Sequence, residues 1–172
     1  EVGEVDEEPR AATRNELIAL AAIVVVASAI RIVQGTTQSL FGDEFWTYVG
    51  ATHGDLSGVL DWVRSDEEIT PPLVTILSWA SVKLGDPTVL VRLPSMLAGI
   101  ALIPVLFELG RRTLGPRVGL IAALLATLNP YLIWYSVEAR AYSLALLLVA
   151  LSTLSLLIAL ERRDVWAWVA YG

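Results

Sequence analysis

Four long stretches of this chain contain no charged residue, and that feature excludes most of the folds open to 172 residues. The runs are Leu17 to Ile30 (carried past Arg31 by Ile32 and Val33), Leu93 to Phe107, Val118 to Val137, and Ala141 to Leu160. A hydrocarbon core about 30 Å thick takes about 20 helical residues to cross, and each run comes close to that once its flanks are counted. A helix in a soluble domain needs a polar face toward water. With 55% of the chain apolar and only 17% charged, too few polar residues remain to supply one for each run. Ala, Gly and Ser are scattered through all four, as close helix packing in lipid requires. The expected fold is therefore all-α, a polytopic transmembrane bundle with spans near 16–35, 91–110, 118–136 and 141–160.

The remaining segments divide accordingly. Residues 1–15 carry Glu1, Glu4, Asp6, Glu7 and Glu8, read as an acidic, disordered tail. The acidic start and the long apolar run behind it do not fit a cleaved signal peptide. Much of the net charge of −6 sits in this tail, so the charge says little about partners. The sequence has neither a glycine-rich phosphate loop nor a basic stripe, and no nucleic-acid partner is expected. The lack of cysteine excludes disulfides, a thiolate nucleophile and a thiolate metal site. Residues 165–172 read as the opening of a further span, so additional spans of a longer protein are expected beside this module.

Charge asymmetry sets the expected orientation. Arg10 and Arg14 precede the first span, whereas the connection after it carries Asp43, Glu44, Asp55, Asp61, Asp66, Glu67 and Glu68. The positive-inside bias then puts the N-terminus in the cytoplasm and the 37–90 loop outside a plasma membrane. It also keeps Arg111, Arg112, Arg117, Arg162 and Arg163 inside and the 136–140 turn outside. The loop is expected to hold juxtamembrane helices at 44–51, 56–63 and 71–84, with Asp43 and Asp55 as N-caps of the first two. The third starts at Pro71-Pro72 and stops at Gly85-Asp86-Pro87, which is short for a span. Were it a true span, everything after it would be inverted.

The residues that could carry chemistry cluster in and around that outer face. Asp43 and Glu44 are adjacent carboxylates at a helix start, where they point in different directions. One can serve as a general base while the other orients a neighbour, binds metal, or simply caps the helix. Glu138 and Arg140 lie between two apolar runs, where charges usually face a cavity or each other. An arginine there, beside Tyr142, offers a planar fork of donors to a phosphate, or snorkels to the interface. Arg92 stands in the same position before the second strong span. Glu68, in an acidic trio ahead of the proline pair, is a metal ligand or a solvated charge. His53, the one histidine, has no partner at metal-ligand spacing.

The order of these pieces resembles a known family. Gly-Asp-Glu-Phe-Trp (42–46) is followed by Thr-Pro-Pro-Leu (70–73), Val-Arg-Leu-Pro-Ser-Met-Leu-Ala-Gly (91–99) and Gly-Arg-Arg (110–112). Asn-Pro (129–130) and Tyr-Ser-Val-Glu-Ala-Arg-Ala-Tyr-Ser (135–143) complete the series. This resembles the N-terminal membrane module of the GT-C glycosyltransferases, of the protein O-mannosyltransferase and aminoarabinose transferase type (family 39-like), over about residues 14 to 165.

The resemblance implies transfer of a sugar from a polyprenyl-phosphate donor in the membrane to an extracytoplasmic acceptor. Asp43, with Glu44 beside it, falls on the family's acidic residue in the first external loop and would activate the acceptor. Arg92 falls on its arginine before the second strong span. Glu138, Arg140 and Tyr142 fall on its Glu-x-Arg-x-Tyr stretch, with Arg140 the candidate phosphate contact. Relatives place a histidine, or a glutamate and lysine, directly before the proline pair. Here Ile69-Thr70 stand there, which leaves a divalent metal, with Glu68 as its ligand, open rather than implied. Two readings compete with the enzyme: a non-catalytic membrane scaffold, and a transporter of lipid-linked sugar, which would call for spans broken near the midplane.

Overall fold

The structure is a computed structural model that describes residues 10–65, 71–162 and 165–171. Every regular element among them is helical. α1 (Arg14–Thr37) opens on a capping box. The Thr13 hydroxyl accepts from the Glu16 amide, and the Glu16 carboxylate accepts from the Thr13 amide at 2.7 Å. At about 1.5 Å per residue its 24 residues run about 36 Å, enough to cross a bilayer. Leu17, Ile18, Val25, Val26, Ile32 and Val33 all stand exposed on it. Only an apolar surrounding makes that arrangement stable.

α2 (Glu44–Ala51), α3 (Leu56–Arg64), α4 (Pro72–Val82) and α5 (Pro87–Leu90) follow α1. Asp55 caps α3, its carboxylate accepting from the Gly58 amide at 3.0 Å. Asp43, expected to do the same for α2, does not: its backbone is already in the helical region and its side chain makes no capping bond. A cap needs an extended backbone to swing its oxygen over the first turn. α4, with 11 residues, is about 16 Å long and too short to cross.

α6 (Leu93–Leu114) and α9 (Tyr142–Arg162) are again long and apolar enough to span. Between them a single span was expected over 118–136. The chain instead forms α7 (Pro116–Leu128) and α8 (Pro130–Val137), which meet at 60°. The cause is local. Pro130 has no amide to continue the hydrogen-bond ladder. Asn129 ends one helix and starts the next, its side-chain oxygen accepting from the Tyr131 and Leu132 amides at 2.9 and 3.1 Å. Counting the bent pair as one, the described residues hold up to four spans. The described part closes with α10 (Val165–Tyr171).

The bundle packs through small residues. Ala27 of α1, Ile103 and Phe107 of α6, and Ala123 and Ala126 of α7 form its buried centre. α6 and α7 meet backbone to backbone at Gly110 and Gly119, where a Cβ on Gly110 would lie 2.8 Å from the Gly119 Cα. At the same end Glu108 accepts from both Arg111 and Arg112, and Arg112 also pairs with Glu161 of α9. The Arg111 guanidinium reaches the Arg10 carbonyl at 2.6 Å, so the start of α1 joins this charged end. α2 to α5 and the 138–141 loop gather at the opposite end.

This packing predicts where small changes are felt. A Cβ at Gly119 would lie 2.5 Å from the Phe107 carbonyl oxygen. Gly119→Ala should therefore destabilise the solubilised protein by about 1–3 kcal/mol in thermal unfolding. Leu125→Ala, on a side chain 66% exposed, should change little by the same measurement.

Candidate active site

The end of the bundle opposite the Arg111 cluster is organised by a buried ion pair that joins distant segments. Arg92, 1% exposed, donates from Nε and Nη2 to the two oxygens of Glu44, both at 2.7 Å. Its other N–H groups reach the carbonyls of Gly35 at 3.0 Å, Gln38 at 2.7 Å and Ser39 at 2.9 Å. Those carbonyls lie at and just past the last turn of α1, where helix carbonyls lack intrahelical donors and carry partial negative charge. All five N–H groups of the guanidinium are thus used within the protein. Arg92 has no donor left for the phosphate contact expected of it.

Glu44 is equally committed. Besides the two bonds from Arg92, its carboxylate accepts from the Ala139 amide at 2.8 Å and the Phe41 amide at 3.2 Å. It is 4% exposed. Four donors on one carboxylate leave it bound to its neighbours rather than presented to a substrate. Of the two adjacent acids, Asp43 is the exposed one. Successive residues of a helix point about 100° apart, so one turns inward to lock the fold while the other stays at the surface.

Through Ala139 this lock draws in the α8–α9 connection. The Ser95 hydroxyl donates to the Arg140 carbonyl at 2.9 Å, and the Ser143 hydroxyl to the Tyr135 carbonyl at 2.8 Å. The Arg140 side chain is largely buried and approaches the Asp43 carbonyl oxygen at 3.5 Å. Tyr142 packs on Tyr135 with ring centroids 4.8 Å apart. Asp43, Glu44, Arg92, Glu138, Arg140 and Tyr142 thus fall at one end of the molecule. Glu68 lies outside the described residues. Among those residues no group of three His, Cys, Asp or Glu side chains is placed to hold a metal ion.

An open cleft of about 310 Å³ lies beside these groups, lined by Leu40, Phe41, Trp134 and Val137 together with Glu44 and Glu138. Glu138 is half-buried in it. Burial pushes its carboxyl pKa above the ordinary value, and the nearby Glu44 and Asp43 push the same way against the pull of Arg140. The cleft therefore pairs an apolar wall and an exposed indole with a carboxylate that holds its proton unusually well.

Two side chains that the sequence reading passed over belong to this end. Ser95 and Ser136 are each 1% exposed and tie α6 and α8 to their neighbours. Arg31, treated only as an interruption of an apolar run, is fully buried. The signal was present: a charge inside a span that does not snorkel has to be facing protein.

Breaking the lock should be costly from either side. Glu44→Ala and Arg92→Ala are each expected to destabilise the protein by about 3–5 kcal/mol in thermal unfolding, because each strands a buried charge. The double variant should lose clearly less than the sum. Glu138 gives a pH test. Its pKa is higher folded than unfolded, so the stability it contributes is present at low pH. That contribution is lost as pH rises from the ordinary carboxylate value through the raised one. Glu138→Gln should remove this part of the pH dependence of Tm.

The chain matches the family described as dolichyl-phosphate-mannose-protein mannosyltransferase over residues 70–172, more than half of its length. The match takes in Arg92, Glu138, Arg140 and Tyr142 and begins after Asp43 and Glu44. No curated protein and no solved structure matches the chain significantly. The family's membrane setting agrees with the helical spans of the structure. By this match and these spans the chain belongs to the dolichyl-phosphate-mannose-protein mannosyltransferase family, and is a polytopic membrane glycosyltransferase module of the GT-C type.

Proposed function

We propose that the protein moves a sugar from a polyprenyl-phosphate donor to an acceptor on the extracytoplasmic side of the plasma membrane, with its N-terminus in the cytoplasm. The acceptor is a hydroxyl or similar nucleophile on a protein, lipid or glycan. The observation that carries the reading is the approach of Arg140 to Asp43 at the end of the bundle organised by Glu44 and Arg92. It brings a cation suited to phosphate to the backbone of a residue whose side chain is an exposed carboxylate, which supports reading the two as one site.

In this mechanism the donor's phosphate lies at Arg140 and its lipid tail between helices. The acceptor oxygen attacks the anomeric carbon as the bond from that carbon to the phosphate oxygen breaks. The acceptor proton passes to the Asp43 carboxylate, and polyprenyl phosphate leaves with the electron pair. A single displacement inverts the anomeric centre. Arg140 stabilises the charge that develops on the leaving phosphate. Glu44 and Arg92 are positioning residues, since their hydrogen bonds are spent on one another and on the backbone that carries Asp43 and Ala139. Glu138 and Tyr142 flank the donor's head group.

The test uses the full-length protein in membranes with radiolabelled polyprenyl-phosphate sugars and a cell-envelope acceptor fraction. Asp43→Asn, inserted to the same level as wild type, should lower transfer by about 10²–10⁴-fold. Arg140→Gln should lower kcat by about 10²–10³-fold. Equal transfer by Asp43→Asn would acquit Asp43. An absence of transfer by wild type across a broad donor panel would sink the enzyme reading.

A further inference from the structure

Arg31 sits inside a membrane span with no exposed surface. It lies about 9 Å in from the end of α1 at Thr37. Its Nε donates to the Ser136 hydroxyl at 3.1 Å, and its Nη1 to the Ala27 carbonyl one turn back on its own helix at 3.2 Å. Its Nη2 is buried and has no hydrogen-bond partner among the described residues. The Ser136 hydroxyl in turn donates to the Leu132 carbonyl of α8. A buried cation with an unsatisfied donor is an expensive way to hold helices together. Apolar packing would do that better, so the arginine calls for another reason.

Its surroundings supply one. α8 ends at Val137, and its last carbonyls carry the partial negative charge of a helix C-terminus, beside which a cation is favoured. The next three residues are Glu138, Ala139 and Arg140. α6 is cut away to admit the contact: a Cβ on Gly99 would fall 2.1 Å from the Ser136 Oγ and 3.2 Å from the Arg31 Nε. α8 is short and set at 60° to α7, so its last turn does not continue the axis of the helix before it.

We propose that Arg31 is a positioning residue. It holds the last turn of α8 through Ser136 and so sets where Glu138 and Arg140 stand in the site. The Glu44–Ala139 bond holds the same loop from the other side. Lysine would keep the charge but lose the fork that reaches Ser136 and Ala27 together. The proposal rests on the transferase reading for its effect on catalysis, but its structural claim stands apart from that reading.

The test compares Arg31→Met, Arg31→Lys and Ser136→Ala in the full-length protein, reading Tm, kcat, donor KM and the pH profile of transfer. Arg31→Met removes a buried charge while keeping much of the volume, so Tm should hold or rise. Transfer should nevertheless fall about 10–100-fold, the range by which lost supporting contacts weaken a site. Arg31→Lys should recover part of it. Ser136→Ala should act in the same direction, and the Arg31→Met/Ser136→Ala pair should be no worse than Arg31→Met alone. Transfer that stays at wild-type level in an Arg31→Met protein of unchanged Tm would overturn the proposal. If Arg31→Met does not insert, unchanged transfer by Ser136→Ala would do so.

A second readout needs no activity. The sequence has no cysteine, so Glu138→Cys, in a background free of any other, reports the loop by its rate of labelling with a maleimide. Adding Arg31→Met should change that rate several-fold, and equal rates would overturn the proposal. Absent transfer by wild type together with a changed labelling rate would sink the transferase reading and leave the positioning role standing.

Discussion

The arrangement of the end opposite the Arg111 cluster depends on one buried ion pair. Taking Arg92 and Glu44 out of water carries a large desolvation cost, which their mutual attraction offsets only if every remaining donor and acceptor is also used. Here they are. The guanidinium closes on three carbonyls at the end of α1, and the carboxylate closes on the amides of Phe41 and Ala139. Four segments distant in sequence meet at two side chains: the end of α1, the start of α2, the start of α6 and the 138–140 loop. A pair of this kind adds little to overall stability, but it permits only one geometry. The neighbouring positions that remain exposed, Asp43 above all, inherit that geometry.

What the pair does at one end, glycine and alanine do through the rest of the bundle. In lipid there is no hydrophobic gain from bringing apolar helices together, so contact has to come from close approach. The buried centre is accordingly made of alanines, one isoleucine and one phenylalanine, while leucines such as Leu97, Leu125 and Leu148 face outward. Polar side chains are spent sparingly and locally. Ser28 and Thr153 donate back to carbonyls of their own helices, whereas Ser78, Ser95 and Ser136 reach across to other segments. These longer reaches gather where the helix ends need fixing.

The all-helical, membrane-spanning character of the chain was legible in its sequence because it rests on run length and the absence of charge, both local properties. The family resemblance was legible because short motifs fall in a fixed order. The division of labour between Asp43 and Glu44 was not. Both are acids at a helix start, and which one turns inward depends on Arg92, 48 positions away. Asn129-Pro130 was visible as a motif, but the 60° bend at it was not, since a proline inside an apolar run can also sit in a gently kinked helix, as Pro104 does in α6. Arg31 was the plainest omission. One charge does not lower the apolarity of a long run by much, and its burial follows from Gly99 and Ser136, which nothing local connects to it.

The contact between Gly110 and Gly119 bears on how such a bundle can move. Where two backbones touch without side chains between them, no rotamer change at that point can ease one helix past the other. Further along, α6 and α7 meet through Ile103, Phe107, Ala123 and Ala126, side chains that can shift against one another. Any rotation about the glycine contact would displace the far ends of α6 and α7 more than the near ones. The ion pair of Glu44 and Arg92 lies at that far end, where it ties the start of α6 to the end of α1, the start of α2 and the 138–140 loop. A backbone-to-backbone contact thus marks one end of the bundle, and a buried ion pair the other.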